Sequence, residues 1–219
     1  MKPILILTGM MLVINLFCLQ TANTLAQDPR AVEIINKVKA KYDALTSFQA
    51  DFEQTSYWKL ADNVQQQKGR LWLKGKDKFR IETQDQIIVS DGKTVWTHSL
   101  YNNQVIIDRI ENSSDEIRLP KDLFLKYSEN YSPRFVANEI IDQQDCAVVE
   151  LKAKSDDIFI KTMKIWINTK ISVPIKIEQT DINDNLNTYR LLNVDLNKPL
   201  LDKLFHYAIP DSVEIIDMR

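Results

Sequence analysis

Beyond residue 47, apolar and polar residues alternate with a period of two over most of this chain, whereas the stretch before it follows a helical rhythm. Ala31, Ile34, Ile35, Val38, Tyr42 and Leu45 recur three or four apart, with Glu33, Lys37, Lys39 and Lys41 mostly opposite them. One amphipathic helix is predicted over 29–45, started by an acceptor at Asp28 and a proline at the first helical position. From Phe48 the pattern changes. Phe48, Ala50 and Phe52 alternate with Gln49, Asp51 and Glu53; Leu71 and Leu73 face away from Arg70 and Lys74; Phe79 and Ile81 oppose Lys78, Arg80 and Glu82. Val149 and Leu151 oppose Glu150 and Lys152, and Met163, Ile165 and Ile167 oppose Lys164 and Trp166. Ile175 and Ile177 oppose Lys176 and Glu178, and Leu192, Val194 and Leu196 end a last long strand. Each run reads as a strand with one apolar face.

Turn signals separate these runs at Gly75-Lys76-Asp77, Asp91-Gly92, Asn102-Asn103, Asn168-Thr169 and Asn183-Asp184-Asn185. Such short connections predict consecutive antiparallel hairpins. Between the β-prone runs ending at Ser90 and starting at Lys93, Asp91-Gly92 predicts a type I′ turn. The Gly92-Lys93-Thr94 triplet is not a phosphate-binding loop: that motif needs a glycine five positions earlier and must open a helix, and position 87 is Ile. Ten or eleven strands are near the size at which an open sheet curls or splits. The expected fold is mainly β with α: a single curved antiparallel sheet forming an unclosed barrel. An N-terminal amphipathic helix lids it, with a short midchain helix around Leu123-Phe124-Leu125 as a second lid. No low-complexity linker interrupts the chain, so one domain is expected over 27–219.

Residues 1–26 have the make-up of a cleaved signal peptide. Lys2 supplies the positive charge, Ile4 to Leu19 is largely apolar, and Thr24-Leu25-Ala26 places small residues at the cleavage positions. Thr8, Gly9 and Asn15 interrupt the apolar run, which argues against a permanent span of about 20 apolar residues. Acylation at Cys18 is the alternative, but bulky Phe17 precedes that cysteine, and a soluble exported chain starting at Gln27 is the better reading. The net charge of −2 gives no global reason to bind nucleic acid.

Catalytic chemistry is hard to find. His98 and His206 have no second metal ligand at a zinc-like spacing, and Cys146 has no cysteine partner in the processed chain. Cys146 reads as a small apolar filler within Cys146-Ala147-Val148-Val149. There is no Gly-x-Ser-x-Gly elbow, and the acidic pairs Asp115-Glu116 and Asp156-Asp157 sit in polar, turn-like stretches. No enzyme, metal or cofactor is expected. The remaining candidate is the apolar interior, which encloses either its own packed core or a hydrophobic ligand; periodicity alone does not separate the two.

Several segments carry a resemblance. Phe48-Gln49-Ala50-Asp51-Phe52-Glu53-Gln54, Gly69-Arg70-Leu71-Trp72-Leu73-Lys74, Lys78-Phe79-Arg80 and, most specifically, Val89-Ser90-Asp91-Gly92-Lys93-Thr94-Val95-Trp96 resemble the periplasmic outer-membrane lipoprotein carrier family, LolA. The segment Phe205 to Val213 resembles that family's closing strand and turn. The resemblance implies a monomeric periplasmic shuttle. It would receive acylated lipoproteins from an inner-membrane ABC-type exporter and hand them to an outer-membrane acceptor, with no catalysis of its own. It also implies that an inward set binds acyl chains: Leu71, Leu73, Phe79, Ile81, Val89, Val149, Met163, Ile165 and Ile177. Ile34, Ile35, Val38, Leu123 and Phe124 would form the lid, and Phe79 would sit near the opening and contact the exporter. One departure stands out. Where the family has Lys-Arg-Pro, with the arginine helping to hold the lid closed, this chain has Lys74-Gly75-Lys76. Lys76 offers a point charge without the guanidinium fork. A looser lid is therefore expected, with faster amide exchange in the 29–45 helix than in the central strands. Two alternatives are a carrier or sensor of another lipid or apolar ligand on the same fold, and a membrane-anchored acceptor acylated at Cys18.

Overall fold

A computed structural model describes residues 28–111 and 130–219. One helix, α1 (Pro29–Ala44), precedes β1 (Ser47–Trp58), β2 (Asn63–Lys74), β3 (Lys78–Thr83), β4 (Gln86–Asp91), β5 (Thr94–Ser99) and β6 (Gln104–Arg109). After these come β7 (Tyr131–Ile141), β8 (Gln144–Ala153), β9 (Ile160–Asn168), β10 (Val173–Asp181), β11 (Leu186–Leu196), a short 3-10 helix (Asp202–Phe205) and β12 (Glu214–Asp217). All twelve strands form one sheet in the order β12-β6-β5-β4-β3-β2-β1-β11-β10-β9-β8-β7. The strands at its two ends do not meet, so the barrel is open. The predicted midchain helix, with Leu123 and Phe124, lies outside the described residues.

Two sequence expectations are corrected. The sheet has twelve strands, and its last pair, β12 on β6, is parallel. The segment resembling a closing strand, Phe205 to Val213, is not strand; the strand follows it. The turn after β4 also differs from type I′. Gly92 has φ +97°, whereas neither Asp91 nor Lys93 has positive φ. With glycine alone at positive φ in the first loop position, the turn follows the type II′ pattern. Asp91 Oδ1 stabilises it by accepting from the Lys93 and Thr94 amides, both at 2.9 Å.

Helix α1 begins where the sequence predicts. Asp28 Oδ1 accepts from the Arg30 amide at 2.9 Å and from the Ala31 amide, filling the N-cap role. Its other oxygen, Oδ2, accepts from the Phe135 amide of the edge strand β7 at 2.8 Å. One carboxylate thus caps the helix and pins it to the sheet, and the Arg30 guanidinium lies 3.4 Å over the Phe135 ring. Ala31, Ile35 and Val38 are buried beneath the helix. At the far end, where the family's arginine is absent, the link is a backbone one: the Gly75 amide donates to the Thr46 carbonyl at 3.1 Å, with Gly75 at φ +63°.

These contacts predict a pH dependence. The Phe135 amide above all, with the Ala31 and Arg30 amides, holds the Asp28 carboxyl below its ordinary 3.8. Because the folded value is lowered, the anchoring is complete above the ordinary value and is lost as pH falls through the lower one. In Asp28→Ala at neutral pH, the Phe135 amide should exchange with solvent roughly tenfold faster or more, and the melting temperature should fall by about 2–4 °C. Unchanged exchange at Phe135 would show that the carboxylate does not hold the helix.

Register divides the side chains between two faces, because cross-strand partners share a face. Phe48, Leu73, Phe79, Ser90 and Val95 form one inner row. Ala50, Leu71, Ile81 and Ile88 form the next. Arg80, Val89 and Trp96 pair with one another on the opposite, outer face, so Val89 leaves the inward set. Leu192 also faces outward, opposite Asp51, because Asn193 at φ +51° bulges the strand; Leu191 takes the inward position instead.

The inner face carries two cores. The first lies under α1 and joins Ala31, Ile35 and Val38 to Val149, Leu151, Met163, Ile165 and Ile177. The second joins Phe48, Ala50, Leu71, Leu73, Phe79 and Val95. The outer face is covered in part by the C-terminal segment. Lys74 Nζ donates to the Leu200 carbonyl at 2.7 Å, Arg80 donates to the Leu204 carbonyl, and Trp96 meets His206 edge-on. That cover is why Val89, Val105, Ile107 and Phe205 are buried.

Candidate functional site

The two cores do not fully meet, and a cavity of about 450 Å³ separates them. Its apolar walls are Phe52, Leu71, Ile81, Ile88 and Leu191 on one side and Ile160, Ile177 and Tyr189 on the other, with Tyr42 of α1 reaching in. Burial pushes the Tyr42 hydroxyl well above the usual tyrosine range. Gly69 pairs with Thr83 across β2 and β3, so a bare backbone stands where the rows on either side carry larger groups, and the Phe52 ring lies directly against it. A Cβ built on Gly69 would stand 2.6 Å from that ring.

Towards the tips of β1, β2, β10 and β11 the lining turns polar. Gln54, Gln67, Thr83, Gln86, Gln179 and Asn187 replace the aliphatic groups, with Phe159 at the lip. Among the described residues Lys176 is the one charged residue bordering the cavity, and its side chain is turned to the other face, the ammonium 4.2 Å over the Trp166 ring and 2.6 Å from Glu178. Beyond the mouth, Asp184 ties three elements together by pairing with Lys59 at 2.7 Å and Lys161 at 2.5 Å. The two ammonium groups, Lys161 first, pull its carboxyl down to about 2. Exposed apolar side chains flank this rim: Trp58, Leu60, Val64, Phe159 and Ile182.

Of the residues expected to bind acyl chains, Leu71, Ile81 and Ile177 line the cavity. Leu73 and Phe79 belong to the second core, and Val149, Met163 and Ile165 to the first. Phe79 is 3% exposed, so it is not at an opening. The lid residues Ile34, Ile35 and Val38 cover the first core rather than spanning the cavity. Sequence reading missed Tyr42, Phe52, Ile88, Tyr189 and Leu191 as lining; Tyr42 and Phe52 fit the periodicity of their elements, whereas Ile88, Tyr189 and Leu191 do not follow the alternation expected of theirs.

The groups with chemical potential lie elsewhere. His98 is buried on the outer face, its Nδ1 hydrogen-bonded to the Tyr207 hydroxyl. Cys146 is buried with Val148, Trp166 and Ile175, and burial pushes its thiol up. Among the described residues, no group of three or more His, Cys, Asp or Glu is placed to hold a metal, and no helix is long and apolar enough to cross a membrane.

An open antiparallel barrel, a helix laid over its concave side and an apolar hollow inside together define a small class of proteins. Within it, the chain belongs to the family described as outer membrane lipoprotein carrier protein LolA, whose model matches residues 43–208. An outer-membrane lipoprotein carrier protein of Pasteurella multocida is 26% identical over 187 residues, covering 84% of this chain and 87% of that one. One of Haemophilus influenzae is 28% identical over 183 residues, covering 82% and 83%. Among solved structures, an uncharacterized conserved protein from Thermus thermophilus matches with TM-score 0.58 at 13% identity, over 86% of this chain and 99% of that one. The Mycobacterium tuberculosis lipoprotein LppX matches with TM-score 0.50 at 11% identity, over 80% and 98%. At these identities the structures speak for the fold alone.

Proposed function

We propose that this protein is a periplasmic carrier of lipoproteins. After export and removal of residues 1–26, it takes acylated cargo from an inner-membrane ABC-type exporter and releases it to an outer-membrane acceptor. The observation that carries this reading is the apolar cavity of about 450 Å³ beside a helix on an open sheet, within the size range of small-molecule sites. The physical need is large. Each acyl methylene exposed to water costs about 0.8 kcal/mol, so a long chain does not cross an aqueous space unaided. Release then follows from the difference in affinity between carrier and acceptor. No step needs a catalytic group or cofactor.

At about 30 Å³ for each water-sized group, the cavity takes roughly one long acyl chain, in contact with Leu71, Ile81 and Ile177. Further chains require α1 to move off the first core, uncovering Val149, Met163 and Ile165. Leu73 and Phe79 stay packed in the second core. The test is native mass spectrometry of the protein purified from its own periplasm. Co-purified acylated proteins are the expected result. A repeatedly empty chain that also fails to extract lipoproteins from membrane vesicles would sink the proposal, and a free lipid in their place would favour a carrier of other apolar cargo.

A further inference from the structure

We propose that the amides at the cavity mouth form a head-group subsite, selecting cargo whose polar end is uncharged and rich in amide or hydroxyl groups. This rests on the carrier reading and adds a chemical preference to it.

The inner face changes character along four adjacent strands. On β1, Phe48, Ala50 and Phe52 give way to Gln54; on β2, Leu73 and Leu71 give way to Gln67. On β10, Ile177 gives way to Gln179, and on β11, Leu191 and Tyr189 give way to Asn187. Gln54 stands directly opposite Gln67, and Gln179 opposite Asn187. Across β1 and β11, Gln54 faces Tyr189 and Asn187 faces Ser56, so the two amide pairs sit one step apart, linked through the Ser56 hydroxyl, between the apolar floor and the rim.

Their hydrogen-bonding capacity is largely unspent. Gln179 is 4% exposed, yet among the described residues its side chain's only hydrogen bond runs from Nε2 to the Met163 thioether at 3.4 Å. Sulfur is a weak acceptor, and a buried primary amide ordinarily finds oxygen partners. Gln54 reaches only the Ser56 hydroxyl, at 3.3 Å, and Asn187 only accepts from that same hydroxyl, at 2.6 Å. The side chains of Gln67 and Gln86 make no hydrogen bond to the described residues. Each amide offers two donors and one acceptor oxygen, which suits groups that both donate and accept. Among the described residues the lining has no carboxylate to meet a cationic head, and the Lys176 ammonium is turned away to the other face, over Trp166 and beside Glu178. A neutral head satisfies these amides best.

Two sources share this chemistry: the amide-linked peptide of an acylated protein and the sugar of a glycolipid. Dissociation constants by displacement of a fluorescent fatty acid, measured for an N-palmitoylated Cys-Ser-Ser peptide amide, hexadecyl maltoside and palmitate, each with one sixteen-carbon chain, separate them. The wild type should bind at least one neutral-headed ligand tenfold or more tighter than palmitate, and the tighter of the two names the source. Gln67→Leu, at a half-exposed position that spares the fold, and Gln179→Met should each erase most of that preference, weakening the neutral-headed ligands about tenfold more than palmitate. Equal affinities in the wild type, or variants that weaken all three ligands alike, would overturn the subsite while leaving the carrier reading standing. Failure of all three to bind would overturn both.

Discussion

Replacing Gly69 with valine should destabilise the protein by about 3 kcal/mol, the upper part of the range for forcing extra atoms into a packed site. A Cβ at this position would stand 2.3 Å from the Glu82 carbonyl oxygen and 2.6 Å from the Phe52 ring. The ring can rotate away, but the carbonyl belongs to the ladder between β2 and β3, so the strands themselves must separate. Urea unfolding measures the loss, and the melting temperature should drop by roughly 6–12 °C. Combining Gly69→Ala with Phe52→Leu should recover only the part of the alanine variant's loss that comes from the ring. A Gly69→Val protein as stable as the wild type would show that the sheet yields there at little cost.

The second large effect is on binding. Ile81 is half-buried, pairs with Leu71 across β2 and β3, and faces the cavity. Ile81→Trp places the larger side chain in existing space, so stability should change by less than about 1.5 kcal/mol. The same ring occupies volume that an acyl chain would need, and affinity for a fluorescent fatty acid should fall by roughly a hundredfold, the loss of several buried methylenes at about 0.8 kcal/mol each. Unchanged affinity would place the ligand elsewhere on the molecule. Val89→Thr offers the contrast: it lies on the outer face under the C-terminal segment, so it should lower stability without changing affinity.

Much of the scaffold was legible because its signals are local. Asp28-Pro29 announces the helix start, and the structure puts the Asp28 carboxylate on the first-turn amides. The alternation of Phe79 and Ile81 with Lys78, Arg80 and Glu82 sets which way β3 faces. Elsewhere the pattern lacks that information. Ile87-Ile88-Val89 has no polar residue to mark a side, and only the pairing of Val89 with Arg80 and Trp96 assigns it to the outer face. The bulge at Asn193 reverses the expected side of Leu192, and a single asparagine gives no warning of it. The parallel addition of β12 depends on a segment that crosses the outer face, held by Lys74 and Arg80 more than 120 residues away in sequence.

The sequence by itself determined a capped amphipathic helix followed by antiparallel strands with one persistently apolar face, because period, caps and turns are written in neighbouring residues. Only the tertiary structure decided which apolar side chains became core and which became cavity wall. Leu71 and Leu73 are equivalent in pattern, yet Leu71 borders the hollow while Leu73 is enclosed in the second core. The difference arises where two cores from distant parts of the chain fail to meet, and no local periodicity encodes that distance.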